Sequence, residues 1–399
     1  MTAGVPAARA PRLSPVLREE ERVTPLELFF DLVFVLAITQ CTALMAAHPT
    51  WEGIARGLLV LGVLWWCWVG YAWLTSVVDP EEGAVRIAMF GAMAAILVAA
   101  LAVPHAFNDA GLVFAIAYGI ARVAQVVLLY IAGRGHEQLR HSVVAGLLGS
   151  TLIGVTLLTI ASQLDGLAQG AFWAIALTLD MAGPMLFGIE GWMLVPGHFA
   201  ERHGLIVLIA IGESIVAIGA GANAHLDAGL ITAAVLGVVV AAVLWWLYFD
   251  VVAIVAARRL AQAPPGRVRN SMARDSYSFL HLPMVAGIVL LALGMKKTLA
   301  HVDHHLDIVP AAAMFGGMAL YLLAHVAFRW RNVHTLNRQR VLTAALLVAL
   351  LPVAVSIDAL AALALMAAIL VTLITYEAVR FADARDRIRH ELAREPIGQ

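Results

Sequence analysis

Seven polar or charged residues lie within or beside long apolar runs, where such side chains are costly and usually functional. Five of them could hold a proton or a cation: Asp31, Glu213, Asp180, Glu27 and Ser214. Two are bases that could neutralise these acids: Arg122 and Arg202. A carboxyl group inside a bilayer can bind and release a proton or exchange it for a cation, so this set predicts ion binding. The same residues could instead form internal ion pairs that only stabilise the protein.

The first apolar run begins with TPLELFFD, in which two acids are four residues apart. Thr24 suits a helix cap, Pro25 suits the first helical position, and Glu27 can complete a capping box. Glu27 and Asp31 then lie on one face of the helix. Capping accounts for Glu27 without a further role, whereas Asp31 lies deeper and has no such structural reason.

Another acid lies in the middle of a later run, in the sequence Gly212-Glu213-Ser214, with further glycines around it. Small residues allow close helix packing, or a local unwinding that exposes backbone carbonyl groups to an ion. Glu213 is therefore either a proton or cation site, or a protonated carboxyl at a helix contact. The sequence leaves both interpretations open.

Arg122 lies in the middle of an apolar run and needs a carboxylate partner, because it cannot easily reach the membrane surface. Asp31, Asp180 and Glu213 are the candidates, and Asp180 lies just before a Gly-Pro break in its run. Three deep acids against one deep base favour a path for cations or protons over a path for anions.

No sequence motif indicates an enzyme, and we expect no catalytic residues and no cofactor. The chain has no HExxH, GxSxG or P-loop pattern. Residues 301–307 (HVDHHLD) offer ligands that suit a divalent metal, but their irregular spacing favours a solvated loop and no metal site. The two cysteines, Cys41 and Cys67, stand in apolar runs and predict neither a disulfide nor a zinc site.

An aromatic stretch and two histidines are expected to face the membrane or its polar rim. Anchoring at the membrane interface and packing against lipid explain an aromatic stretch most simply. This stretch comprises Trp65, Trp66, Trp68, Tyr71 and Trp73. His281 and His325 lie near the ends of apolar runs and are expected at the polar rim of the membrane.

The composition indicates that membrane helices position all these residues. Of the 399 residues 62% are hydrophobic and 13% are charged, which is about half the charge of soluble domains. The mean hydropathy is +0.87. Apolar runs of about 20 residues, long enough to cross a bilayer, predict an all-α polytopic membrane protein with about twelve transmembrane helices. Their approximate ranges are 26–46, 54–75, 84–103, 111–132, 142–163, 168–190, 203–223, 229–256, 276–298, 307–330, 341–357 and 359–380.

The basic residues predict the orientation. There are 26 Lys and Arg against 27 Asp and Glu, which leaves no basic surface for nucleic acid. On a twelve-helix path most of the bases fall on the side of the chain ends, while Arg56, Lys296 and Lys297 fall on the other. The positive-inside rule then predicts a multi-pass membrane protein with both termini cytoplasmic. Membrane lipids are the expected partners, and the oligomeric state is open.

The chain divides into four predicted regions. Residues 1–25 are rich in Pro, Arg and Glu and predict a disordered cytoplasmic tail. Residues 26–200 and 201–380 each contain six predicted helices. Residues 381–399 predict a charged, amphipathic cytoplasmic stub that lies against lipid headgroups.

The two six-helix halves could be a repeat. The tripeptide Leu-Trp-Trp at residues 64–66 recurs at 244–246, and Asp31 has a counterpart in Glu213. Since six is an even number, two such halves would share one orientation and be related by an axis along the membrane normal. Coincidence is the alternative, because Trp pairs are common at membrane interfaces.

Two stretches resemble a known family. Residues 23–40 (VTPLELFFDLVFVLAITQ) are similar to the opening motif of the bacterial low temperature requirement protein A family, and residues 198–216 (HFAERHGLIVLIAIGESIV) resemble its second hallmark. The resemblance implies an integral membrane protein associated by name with growth in the cold, without a substrate. It extends to the matching residues Glu27, Phe30, Asp31, Glu201, Arg202, Gly212, Glu213 and Ser214.

Three functions fit these features. The first is a proton- or cation-coupled transporter that works between the two halves through its buried acids. The second is a cation channel, which needs a continuous pore. The third is a membrane sensor or scaffold without transport, in which the acids bind Arg122 or Arg202 only for stability. The sequence does not name the small ion or small molecule that would be carried.

Overall fold

The computed structural model describes residues 22–81, 83–134, 136–186, 191–221 and 227–392. Almost all of the predicted N-terminal tail, and the end of the predicted C-terminal stub, lie outside these residues. The described residues form α-helices and no β-strand. The prediction of an all-α polytopic membrane protein is confirmed.

The helices follow one another with short connections. The first part of the chain forms α1 (Pro25–Ala47), α2 (Trp51–Val77), α3 (Gly83–Ala102), α4 (Gly111–Ala132), α5 (Glu137–Ser142), α6 (Gly149–Ala161) and α7 (Gly166–Leu186). The second part forms α8 (Pro196–Gly221), α9 (Ala228–Phe249), α10 (Val252–Gln262), α11 (Arg267–Met272), α12 (His281–Ala300), α13 (Ile308–Val333), α14 (Arg338–Ala349), α15 (Leu351–Ala354), α16 (Ala359–Arg380) and α17 (Ala382–Leu392). Wider π-helical stretches join α5 to α6 and α11 to α12.

Within the described residues, ten helical segments are long and apolar enough to cross a membrane. The sixth and eleventh of the twelve predicted spans are not among them. The sixth corresponds to α7, which is 21 residues long but carries the polar Gln169 and Asp180. The eleventh is divided between α14 and α15 around Leu350, because Pro352 cannot donate a helical hydrogen bond. The number twelve stays a prediction.

The divided segment nevertheless connects both ends of the bundle. At its start Arg340 bonds to Glu377 near the end of α16. Beyond its other end the backbone N–H of Ala359 donates to the carbonyl of His304, in the connection between α12 and α13. The segment α14–α15 thus runs between the same two ends as its neighbours α13 and α16.

α1 and α8 are packed against each other and run in the same direction. Near their N-terminal ends Glu27 contacts Arg202, and further along Thr39 contacts Glu213. The residue numbers of the contacting pairs increase along both helices, so the two helices are parallel. This direction is the one expected on the twelve-helix path, where five crossings, an odd number, lie between the two helices.

α2 lies at the centre of the bundle, with its aromatic residues inside. The residues in question, all buried, are Trp65, Trp66, Trp68, Tyr71 and Trp73. The prediction that they face lipid is therefore wrong. A helix that is apolar on every side is buried among other helices, and the indole N–H groups find partners there. The Trp65 indole N–H donates to the carbonyl oxygen of Ser278 at 2.8 Å. The Trp73 indole N–H donates to the Ser278 hydroxyl at 3.0 Å.

α12 and α13 approach closely where glycines face each other. A Cβ atom on Gly287 would lie 2.6 Å from the carbonyl oxygen of Gly317, and one on Gly317 would lie 2.7 Å from that of Gly287. Small residues let helix backbones come together in this way. α8 packs against α12 of this pair.

Candidate functional site

Arg202 lies at the centre of a buried polar cluster between α1, α2 and α8. Its Nη2 is 2.5 Å from Asp31 Oδ1, and its Nη1 is 3.3 Å from Glu27 Oε1. Nη1 also donates to the Thr75 hydroxyl at 2.9 Å. All four side chains are buried. The face shared by Glu27 and Asp31, which their spacing predicts, is thus the face that meets α8.

His198 completes this cluster from one turn earlier on α8. Its Nε2 is 2.8 Å from Glu27 Oε1, and its Nδ1 is 3.2 Å from the Ser76 hydroxyl. Sequence reasoning missed His198 as a site residue. Its position four residues before Arg202 repeats the spacing of the two acids on α1, and that match could have identified it. Arg202, Glu27, Asp31, Thr75 and His198 are called the Arg202 cluster below.

The two acids of the cluster are bound differently. Glu27 is both a cap and an ion-pair partner, because its Oε2 accepts from the backbone N–H of Thr24 at 2.9 Å while its Oε1 faces α8. The predicted capping box is therefore present. Asp31 Oδ1 accepts from the Trp68 indole N–H at 2.9 Å, whereas Asp31 Oδ2 is buried without a hydrogen bond.

The Arg202 cluster contains more acids than arginines. Two carboxyl groups face one guanidinium, and the imidazole of His198 is a second group that can carry a positive charge. A net charge in a buried site is costly, which favours a neutral state. His198 and the Asp31 oxygen without a hydrogen bond are groups of this cluster that can accept a proton.

Glu213 lies further along α8 and has a different environment. It is 3% exposed, and its Oε2 accepts from the Thr39 hydroxyl of α1 at 2.5 Å. Within the described part of the chain, no Lys, Arg or His forms an ion pair with it. Lys296 of α12 attracts it only over a longer distance. Ser214 faces elsewhere, since its hydroxyl donates to the carbonyl of Ile211 in the same helix at 2.6 Å.

An apolar layer separates the Arg202 cluster from Glu213. The two levels are about 16 Å apart along α8, at 1.5 Å per residue. Phe34, Ala37 and Ile38 of α1 and Ile206 of α8 fill the space between them, around a cavity of about 10 Å³. That volume is about the least that one water molecule needs. At this cavity the layer between the two polar levels therefore has room for at most about one water molecule.

Arg122 forms a second, separate ion pair. Its Nη2 is 2.7 Å from Asp180 Oδ1 on α7, so among the three candidate acids Asp180 is the one that contacts it. Tyr118 donates to Asp180 Oδ2 at 2.8 Å, and Ser150 donates to Oδ1 at 3.1 Å. Arg122 also donates to Gln125 at 2.5 Å. One base and one acid balance here, with several hydrogen bonds, as in a structural pair.

Two histidines that were expected at the membrane rim are buried in the protein, so that prediction is wrong. His281 Nε2 lies 2.8 Å from the Tyr248 hydroxyl, and His325 Nδ1 lies 3.2 Å from Arg340 Nη1. With His203, they form a band of rings behind the Arg202 cluster, in which His203 and His281 have centroids 5.3 Å apart. The start of α12, which carries His281, packs against α2 and α8 and therefore faces the interior of the protein.

The remaining polar groups form no metal centre in the described residues. No three His, Cys, Asp or Glu side chains there lie close enough to hold a metal ion. In the 301–307 loop, His304 and Asp303 are exposed and contact each other at 3.1 Å. Cys41 and Cys67 are both buried and free.

The chain is similar to one bacterial protein family and to one uncharacterized relative. A family model described as bacterial low temperature requirement A protein matches residues 22–375, which include every residue of the Arg202 cluster and Glu213. An uncharacterized protein of Rhizobium meliloti (strain 1021) is 28% identical over 310 residues, or 74% of each chain. No solved structure gives a significant match.

Proposed function

The chain belongs to the bacterial low temperature requirement A family, and on that premise we propose that it is a membrane transporter coupled to protons or other small cations. We place it in the bacterial cytoplasmic membrane with both termini on the cytoplasmic side, because its basic residues are distributed in that way. We assign it no enzymatic activity. The carried substrate, a small ion or small molecule, stays unnamed.

Glu213 is the observation that carries this proposal. A buried carboxyl with a hydroxyl partner and no ion pair in the described structure is costly as an anion, so it is neutralised by a proton or by a bound cation. Either form can be exchanged when the site opens to water. A carboxyl that served only for stability would be expected to have a basic partner, as Asp180 has in Arg122.

The Arg202 cluster would couple ion binding to the arrangement of α1 and α8. Its acids are on α1 and its bases on α8, so the proton on His198 or Asp31 changes the attraction between these two helices. Glu213 and its partner Thr39 bridge the same two helices at another depth. Exchange of a proton or cation at one level would therefore favour a different packing at the other.

A transporter fits this arrangement better than a channel. A channel needs a water-filled path, whereas the layer of Phe34, Ala37, Ile38 and Ile206 leaves space for about one water. A transporter exposes its site to one side at a time, and a closed layer is a normal part of that cycle. Arg122 and Asp180 balance each other as one base and one acid. This supports a purely structural role, as in the scaffold alternative, but only for these two residues.

Flux through the purified protein in liposomes tests this function. With a pH-sensitive dye inside, imposed gradients of H⁺, K⁺ and Na⁺ should produce proton movement that saturates with the driving cation. Fast electrogenic flux without saturation would favour a channel. An absence of flux under all gradients and with a broad mixture of small metabolites would favour a scaffold or sensor.

A further inference from the structure

A sizeable cavity lies at one end of the bundle, away from Glu213. It has a volume of about 450 Å³ and is enclosed by the ends of α9, α13 and α16, the start of α14, and α10 and α17. Four of these helices, α9, α10, α13 and α16, belong to three segments that are long and apolar enough to cross the membrane. The cavity therefore lies at the level where the bilayer meets water.

The polar wall of the cavity carries an excess of positive charge. Four arginines face two acids across it, namely Arg329, Arg338, Arg340 and Arg385 against Asp250 and Glu377. Both acids are already paired: Glu377 Oε2 is 2.9 Å from Arg340 Nη2, and Asp250 Oδ2 is 2.6 Å from Arg385 Nη2.

Arg329 and Arg338 supply the excess positive charge of the cavity wall. Among the described residues neither forms an ion pair, and both are exposed. Arg329 Nε donates to the Thr335 hydroxyl at 2.9 Å, which fixes its direction and leaves its terminal nitrogens available. Two guanidinium groups at one rim suit a phosphate, whose oxygens accept paired N–H bonds.

The rest of the cavity is apolar. Trp246, Leu247 and Val251 lie on one side, and Phe328 and Phe381 lie on the other. Arg385 of α17 stacks over the Trp246 ring at 5.1 Å and so holds α17 as one wall. A small inorganic anion would leave this apolar surface unused, whereas an amphiphile would contact both surfaces.

We propose that this cavity binds the phosphate headgroup of an anionic phospholipid. Arg329 and Arg338 contact the phosphate, and the apolar wall of Trp246, Leu247 and Phe328 contacts the glycerol and upper acyl chains. Basic pockets between membrane helices are suited to such headgroups, and anionic lipids are available where the positive-inside rule places this end. The bound lipid would fix α17 against α9 and α13. This binding does not depend on transport.

Lipid binding by the purified full-length protein tests the proposal. Native mass spectrometry and thermal unfolding in a neutral detergent would compare phosphatidylglycerol, phosphatidylcholine and inorganic phosphate. The parent protein should retain phosphatidylglycerol and be stabilised by it. Phosphatidylcholine should bind more weakly, and inorganic phosphate should have no effect at concentrations that match the lipid.

The variants are chosen at exposed positions so that the fold is kept. Arg329→Gln with Arg338→Gln should lower the affinity for phosphatidylglycerol roughly ten-fold or more, and Arg338→Gln alone by less. The matched control, Arg86→Gln with Arg387→Gln, removes the same charge from exposed arginines outside the cavity and should keep the parent affinity. The proposal would be overturned if both double variants lost the same affinity for phosphatidylglycerol, or if the Arg329/Arg338 variant lost none. It would also be overturned if inorganic phosphate bound as tightly as the lipid.

Discussion

Arg202 and Glu213 lie eleven residues apart on α8, and their electrostatic surroundings are opposite. Arg202 touches two carboxyl groups, whereas Glu213 touches a hydroxyl and has no ion pair in the described structure. Both face α1, through Glu27 and Asp31 at one level and Thr39 at the other. The pair α1–α8 thus combines a charged contact with a buried acid that has no ion pair in the described structure, and the predictions below separate their roles.

Arg202→Gln should destabilise the protein strongly. It leaves Glu27 and Asp31 buried with His198 as the remaining base, and removing one partner of a buried pair costs roughly 3–5 kcal/mol. Thermal unfolding in detergent would show a lower midpoint. Adding Asp31→Asn should recover part of the loss, and Arg387→Gln at an exposed position should change little. A midpoint for Arg202→Gln equal to the parent's would show that the cluster does not stabilise the fold.

Arg122→Ala should lower the yield of folded protein, because Asp180 is then buried without its base. Asp180→Asn in the same chain should restore yield, since Tyr118 and Ser150 can still bond to the amide. Size-exclusion chromatography of detergent extracts measures this. Asp31→Asn is the control, because Asp31 pairs with Arg202 and should not rescue. Equal rescue by both second changes would argue against a specific Arg122–Asp180 pair.

Two adjacent glycines of α13 should respond differently to alanine. A Cβ on Gly317 would lie 2.8 Å from the backbone nitrogen of Leu291 as well as against Gly287, so Gly317→Ala should cost about 1–3 kcal/mol. Gly316 has no atom within 4 Å of an added Cβ. Gly316→Ala should be neutral or stabilise by about 0.5–1 kcal/mol, as alanine does in a helix. Unfolding midpoints give the comparison, and similar values for the two variants would contradict the close α12–α13 contact.

The orientation can be measured with reporter fusions. Fusions after residue 20, within the α10–α11 connection and after residue 385 should report the cytoplasm, because the basic residues concentrate there. A fusion near Asp303, on the loop that joins α12 to α13, should report the opposite side. If the fusion near Asp303 and the fusions at the chain ends report the same side, the twelve-helix path is excluded.

The sequence predicted most of the helices and singled out the acids inside them, because both depend on local features. Long apolar runs predict spans, and the Thr24–Glu27 spacing predicts the capping box that the structure contains. Glu27 and Asp31 stand out because charge in an apolar run is costly.

What the sequence could not supply is which side of a helix faces protein. Trp65 and Trp66 were expected in lipid and are buried, whereas Trp245 and Trp246 are 45% and 36% exposed. The two Leu-Trp-Trp tripeptides therefore occupy different environments, and the internal repeat stays a prediction. His198 was missed for a similar reason: its importance follows from the packing of α8 on α1, which joins residues 171 positions apart.

Replacing Glu213 by Gln tests the central claim most directly. The amide keeps the shape and the contact with Thr39 but cannot exchange a proton or bind a cation. We predict that Glu213→Gln folds as the parent does and that its proton flux in liposomes falls to background. Glu201→Gln, an exposed acid on the same helix, should keep parental flux. Parental flux, with parental pH dependence, through well-folded Glu213→Gln would contradict a role of this carboxyl in transport.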